Sequence, residues 1–451
     1  MTVLDVVMST NQEALSVSRV SHAVDGIRVS FDDPHLVANA GLLLVSTLAL
    51  RLELEALVNT MVRLGGRVGG ARPGRKVMTV VHAIVAGGSH IDHADVLRCG
   101  GTEKVLAFRV MAPSTVGTFL RAFTFGHVRQ LEAVVGEALR RAWSVGAGPA
   151  AERLVIDVDS TICEVEGPKK QGAAYGYTKV LGYHPILATR ADTGEVLHAR
   201  MRKGSANTAR GARRFIDELV ARVRRAGATG EIVMRFDSGS WSNDTIASLK
   251  RLDVRYTMAV RTSIPAIAAA IATIAEDAWV DIDYTPDGRA QVAACDYKGR
   301  RLIVRRTRLT GHQAKLWPDW RHFGFLTDLA GTAVEVDAFH RQHAVVELAI
   351  RDLKEGAGME HVPSGNFSAN SAWLQCAVLA HNLIRWTATI GIAPSGHATV
   401  ARTVRTRLIA VPARLVNLAG TMTLRGPLAW PWAEWFCRRL ERVRGLQLST
   451  A

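Results

Sequence analysis

Cysteine is scarce and scattered: the five, Cys99, Cys163, Cys295, Cys376 and Cys437, show no Cys-x-x-Cys spacing. That excludes a disulfide framework or a cysteine zinc site and implies reduced, mostly buried thiols in a cytosolic setting. Long apolar runs are missing too. The most apolar stretch, Ala40 to Leu50, stops at Arg51, short of the roughly 20 residues that span a bilayer. Met1 to Val20 carries acidic and polar residues throughout, so neither a secretory leader nor a membrane partner is expected. Acid is in deficit, with 41 Asp and Glu against 56 Lys and Arg, a net charge of +15 and a pI near 10.1. Such a balance suits a polyanion partner. Charge alone names none, because ribosomal and membrane-surface proteins share it.

What is present is length and apolar content: 451 residues, 48% of them hydrophobic, allow two to four domains with a substantial core. Residues 35 to 64 are expected to be helical, Gly65 to Arg75 to form a basic glycine-rich loop, and shorter helices to follow, one of them opening at Met111–Thr115 and running through Phe123. His90, Asp92, His93 and Asp95 meet no fixed metal-ligand spacing, so capping and surface hydrogen bonds are expected of them. Arg402, Arg405 and Arg407, with the aromatics from Trp430 to Trp435, are open to a DNA or subunit contact or to an aromatic core.

The residues that bear chemistry lie further along. Phe339 to Lys354, FHRQHAVVELAIRDLK, reads as one packed helix. Seven residues are two turns less about 20°, which sets His340, Glu347 and Lys354 in one stripe, with His343 and Arg351 flanking Glu347. Val346, Leu348, Ile350 and Leu353 take other sides. Two strand-like runs supply further carboxylates: LVIDVDST at 154–161 and EIVMRFDSG at 231–239 each deliver an Asp at a strand's C-terminal end. Open α/β sheets bind ligands at that edge, so Asp159 and Asp237 are expected to meet Glu347 in one crevice. Asp157, on the same strand face as Asp159, is expected as a supporting metal ligand, the other reading being a structural salt bridge. Clustered carboxylates repel one another unless cations neutralise them. Oxygen-only ligands favour Mg²⁺ or Mn²⁺ over zinc, and two such ions clamp the attacking and leaving oxygens at a phosphodiester.

On these residues the sequence resembles the DDE transposases of bacterial insertion sequences, in the branch with a Tyr, Arg, Glu, Lys signature that includes the Tn-five transposase, and within it the group called IS thirteen-eighty. The resemblance spans residues 80 to 440. It implies that Asp159, Asp237 and Glu347 are the catalytic metal ligands, and that Lys354, seven residues after Glu347, contacts DNA together with Arg351, His343 and His340. His340 stands where the signature has Tyr and His343 where it has Arg; a protonated His343 against the scissile-strand phosphate is the expected substitute, a neutral His satisfied by a backbone carbonyl being the other reading. Ala369–Leu374 and Ala380–Trp386 resemble the helix that follows in this group. A β-rich insertion, characteristic of the branch and associated there with DNA hairpins, is expected from the alternation at Trp279–Tyr284, Ala290–Tyr297 and Leu302–Arg308. Within it Phe323, or alternatively Trp320, is placed to stack on a flipped base, plain core being the other reading.

The expected fold class is therefore α/β: an RNase H-like catalytic core with a β-rich insertion, preceded by a mainly helical DNA-binding region. The core follows a β-β-β-α-β-α-β order, with strands at 152–159, 177–190 and 195–201, a helix from Asn207 to Ala226 and a strand ending at Asp237. The expected divisions are 1–150, 151–262, 263–330, 331–390 and 391–451. The resemblance implies metal-dependent cut-and-paste cleavage and strand transfer at terminal inverted repeats, with two Mg²⁺ or Mn²⁺ ions. It further implies double-stranded DNA partners (transposon ends and target), a homodimer in the synaptic complex, and a cytoplasmic, nucleoid-associated location. Two rivals stay open. Asp157-x-Asp159-x-Thr161 fits the nucleophile motif of haloacid-dehalogenase-like phosphatases, with Asp237 and Asp244 as metal ligands downstream, and a DNA-binding protein that has lost catalysis is the other.

Overall fold

The computed structural model describes residues 24–176, 178–207, 211–284, 288–309, 319–390 and 400–448. Met1–Pro34 is a unit of its own, with a 3-10 turn at Val24–Gly26, and His35–Ala451 form the other.

Five helices open the larger unit: α1 (Leu42–Arg51), α2 (Leu54–Met61), α3 (Pro73–Val85), α4 (Pro113–Arg121) and α5 (Phe125–Ala142). The chain then enters a nine-stranded sheet. Its first strand is β1 (Leu154–Ser160), third from one edge, with β2 (Ile186–Arg190) and β3 (Val196–Arg200) added antiparallel on that side. On the other side β4 (Ile232–Phe236) and β5 (Arg255–Val260) are parallel to β1. Parallel strands need crossovers, and α6 (Ala212–Ala226) and α7 (Asn243–Arg251) provide them. This is the β-β-β-α-β-α-β order expected above. All five residues of β4 are buried, as in sheets covered on both faces.

Two expectations change. The strand expected over 177–190 is two strands: Leu181–Tyr183 joins Cys163–Glu164 and Ala174–Tyr175 in a small separate sheet, and β2 begins only at Ile186. Pro185, with no N–H for a ladder, stands at the break. The segment expected as a β-rich insertion is rich in strands and continues the core's own sheet. After α8 (Pro265–Ala272), strands β6 (Val280–Ile282), β7 (Gly288–Asp296), β8 (Arg301–Leu309) and β9 (Arg321–Thr327) extend the same sheet, because β9 pairs antiparallel with the edge of β5. An exposed edge of β5 would otherwise invite pairing with other chains. Finally, the boundary expected near residue 150 is a change of secondary structure and not of packing: one core cluster runs from Leu42 through β1 to Val443.

The expected helix over 339–354 is also interrupted. α9 (Ala333–Arg341) passes through a 3-10 turn at Gln342–Ala344 into α10 (Val345–Gly356). A 3-10 turn advances about 120° per residue against about 100° in an α-helix, so His340 leaves the stripe while Glu347 and Lys354 keep their register within α10. Behind α10 runs α11 (Phe367–Thr389), a 23-residue helix buried over most of its length. Its Asn382 accepts from the Val196 N–H at 2.8 Å and donates to the Val196 carbonyl at 2.9 Å, and Gln375 donates to the Ala199 carbonyl at 3.1 Å. Helix side chains thus satisfy the outer edge of β3.

Candidate active site

Asp157 on β1 and Arg235 on β4 are register partners across a parallel strand pair. Two residues further along each strand the side chains return to the same face, which brings up Asp159 and Asp237 at the C-terminal edge. The site therefore has two layers, and they differ in charge.

The inner layer is neutralised. Arg235 donates from Nε and Nη2 to the two oxygens of Asp157 at 2.7 and 2.8 Å, and from Nη1 to the Phe339 carbonyl at 2.9 Å. Asp157 and Arg235 are 0% and 1% exposed. His343 completes the layer, its Nδ1 at 2.7 Å from Asp157 Oδ1. This corrects the expectation for Asp157: with a guanidinium on both oxygens it is the structural salt bridge and not a metal ligand. The same contact overturns the phosphatase reading, which needs Asp157 as an accessible nucleophile. Asp244 sits exposed in the first turn of α7, outside the cleft lining.

The outer layer is not neutralised. Asp159 Oδ1 accepts from the Ser160 N–H at 2.6 Å, and Asp237 Oδ1 accepts from Ser240 Oγ at 2.9 Å and the Ser240 N–H at 3.2 Å. Glu347 projects from the exposed side of α10 while Val346, Ile350 and Leu353 are buried. Leu348, expected among the packed residues, is exposed. A cleft of about 320 Å³ is lined by Asp159, Thr161, Glu347, Arg351 and Lys354, together with Glu355 and Glu360, which no sequence motif had singled out. The Asp159 carboxyl is pushed up to about 6, first by burial and then by the charges of Asp237 and Glu347, against the Ser160 hydrogen bond and His343, which pull the other way. A half-buried carboxylate repelled by two others is a site short of positive charge.

His340 is corrected outright. It is 4% exposed, its Nδ1 lies 2.7 Å from Thr257 Oγ1, and its ring stacks on Phe325 with centroids 4.2 Å apart. Burial, helped by His343, Arg235 and Arg305, drives its pKa down to about 3. It is a neutral core histidine, out of reach of a DNA phosphate. Phe323 is 39% exposed on β9, one face over Arg305 at 4.8 Å. Trp320 instead stacks with Trp279 around Arg306, at 4.4 and 4.2 Å. The basic residue Arg405 is spent on structure, capping the Val85, Ile84 and Gly356 carbonyls. His90 and His93 form a capping box, as expected of that group.

Arg235 is the residue that sequence reasoning missed. A signal was present: Asp157-x-Asp159 and Arg235-x-Asp237 repeat one spacing on two strands of like pattern. Among the described residues, one group of ligand atoms lies within 4.8 Å of each other, Glu132, His198 and Glu218, away from this cleft. Arg129 and Arg200 already pair with both of those glutamates, so that cluster is an ion-pair network with its positive charge in place.

Among curated proteins none matches. A solved structure that is similar is the piggyBac transposase synaptic complex with hairpin DNA, at 11% identity and a TM-score of 0.41, covering 82% of this chain and 79% of that one. A family model described as transposase DDE domain group 1 matches residues 21–448. With nearly its whole length matched, the chain belongs to this transposase DDE family and is a DNA-cleaving transposase enzyme.

Proposed function

We propose that the chain is a cut-and-paste transposase of the Tyr-Arg-Glu-Lys branch, acting at terminal inverted repeats with two Mg²⁺ or Mn²⁺ ions held by Asp159, Asp237 and Glu347. The observation that supports it most is the outer layer: Asp159 lines one cleft with Glu347, Arg351 and Lys354, and Asp237, at the end of the paired parallel strand, acts on Asp159 by its charge. The donor set fits such ions, being all oxygen and deficient in positive charge. When bound, two divalent ions neutralise the carboxylates and polarise the attacking and leaving oxygens of a phosphodiester. Lys354 and Arg351 hold DNA phosphates beside the cleft, and the exposed face of Phe323 takes an unstacked base. Transposon ends and target are double-stranded DNA, two chains pair to bring two ends together, and the protein works in the cytoplasm on the nucleoid.

The test is direct. Purified protein with DNA carrying the element's ends cuts strands at those ends in Mg²⁺ and leaves 3'-hydroxyls, and EDTA stops it; no cutting in Mg²⁺ or Mn²⁺ refutes the proposal. End binding should also weaken with salt by a slope of about 0.9 per neutralised phosphate, whereas a flat dependence argues against a phosphate-borne interface.

The metal reading carries a pH signature. In the metal-free protein the Asp159 carboxyl titrates near 6, above its unfolded value of about 3.9. The folded state then binds the proton more tightly than the unfolded chain, so stability declines as pH rises from about 4 through 6. A divalent ion offsets that loss only where Asp159 is ionised. The Mg²⁺-induced rise in thermal midpoint should be large at pH 8 and close to zero at pH 5, and equal shifts at both exclude Asp159 as a ligand.

A further inference from the structure

The Arg235–Asp157–His343 chain is built more tightly than phosphate binding by His343 requires. Its three hydrogen bonds measure 2.7–2.8 Å, and Arg235 is tied besides to the Phe339 carbonyl at the end of α9. A carboxylate accepts only, so the 2.7 Å contact requires a proton on Nδ1 of His343. In the neutral ring Nε2 is then an acceptor. Nε2 has no hydrogen-bond partner among the described residues, yet it is not a sealed buried atom, and the His343 side chain is 13% exposed. One helical turn later comes Glu347, and two residues beyond Asp157 on the same strand face comes Asp159.

The bidentate guanidinium already balances Asp157, so the contact orients the ring without adding net negative charge. The cleft does not want for donors to phosphate, because Arg351 and Lys354 line it. Those cations can only donate, and an attacking O–H group needs an acceptor.

We propose that Arg235 and Asp157 are positioning residues that hold His343 in its Nδ1–H tautomer, with Nε2 accepting the hydrogen bond of the attacking hydroxyl. That hydroxyl is water in the first cut and a DNA 3'-hydroxyl in strand transfer. This rests on the transposase reading of the cleft, and replaces the phosphate contact expected from sequence with a contact to the nucleophile.

The experiment combines tautomer and rate. In full-length protein labelled with ¹⁵N-histidine, the His343 ring, assigned by its loss in His343→Ala, should show Nδ1–H. In Asp157→Asn one side of the amide must present a donor to Arg235, because Oδ1 accepts from both Arg235 Nε and His343 Nδ1 and Oδ2 from Arg235 Nη2; with the NH₂ at the Oδ1 position His343 should switch to Nε2–H. Single-turnover end cleavage should then fall by roughly 10²–10⁴-fold, the scale set by a tautomer-reversing Asp→Asn change in a serine protease triad, while end affinity changes less than about threefold. His343→Arg should lose cleavage to a similar extent, since a guanidinium cannot accept a hydrogen bond. An Nε2–H tautomer in the wild type, or His343→Arg cutting as fast as wild type, overturns the proposal in favour of a cationic phosphate contact. Should Asp157→Asn fail to fold, the wild-type tautomer and His343→Arg still decide. Wild-type protein that cuts no DNA end overturns the transposase reading, and with it the role of Nε2; an active wild type with a fast His343→Arg overturns this inference alone.

Discussion

Replacing Asp159, Asp237 or Glu347 by Ala should each remove end cleavage by roughly 10³-fold or more, about 4 kcal/mol of transition-state stabilisation, and leave end binding nearly intact. The three carboxylates form the uncompensated outer layer, and their charges already act on one another at Asp159. Removing any one takes away an oxygen donor of that layer, and Asp157, held by Arg235, is not free to take its place. Affinity for DNA should persist because the cleft cations Arg351 and Lys354 are untouched; Lys354→Ala should show the converse, with weaker end binding. Single-turnover cleavage and gel-shift titration on the same DNA measure both. Any one of the three Ala variants cutting at more than a tenth of the wild-type rate would show that the residue is not a required ligand.

Arg235→Ala should be the most destabilising single substitution near the site, by about 3–5 kcal/mol, because it strands the fully buried Asp157 charge without its partner. Net stabilities of domains are about 5–15 kcal/mol, so much of the protein should be lost as insoluble chain. Replacing both partners, Asp157→Leu with Arg235→Met, removes the charges together and should recover most of that loss. The midpoint of urea unfolding across the two single variants and the double variant measures the effect. Equal destabilisation by the single and double changes would mean that the pair contributes by shape and not by charge.

How far the site was legible follows from where each signal resides. Asp159 and Asp237 were visible because an apolar β-branched run ending in acid is a local pattern, and the parallel pairing of β1 with β4 then sets the two ends side by side. Glu347 and Lys354 were visible because both lie within α10, where helical register holds. His340 was misplaced because a single 3-10 turn at Gln342–Ala344 shifts the phase of the helix, and nothing in the residue types announces it. Trp320 and Phe323 looked equivalent in sequence, and only the position of Arg306 between two indoles distinguishes them.

By itself the sequence determined the basic charge, the run of strands and helices through the core, and the outer acids, since composition, period and register depend on near neighbours along the chain. Tertiary structure alone decided which acid is paired and which is not. Asp157 and Asp159 sit two residues apart on one strand face, but a guanidinium from the adjacent strand, 78 residues away in the chain, balances the first and leaves the second exposed to the charges of Asp237 and Glu347. The cost of burying a charge depends on what stands a few ångströms away in space, and that distance is not written in sequence order.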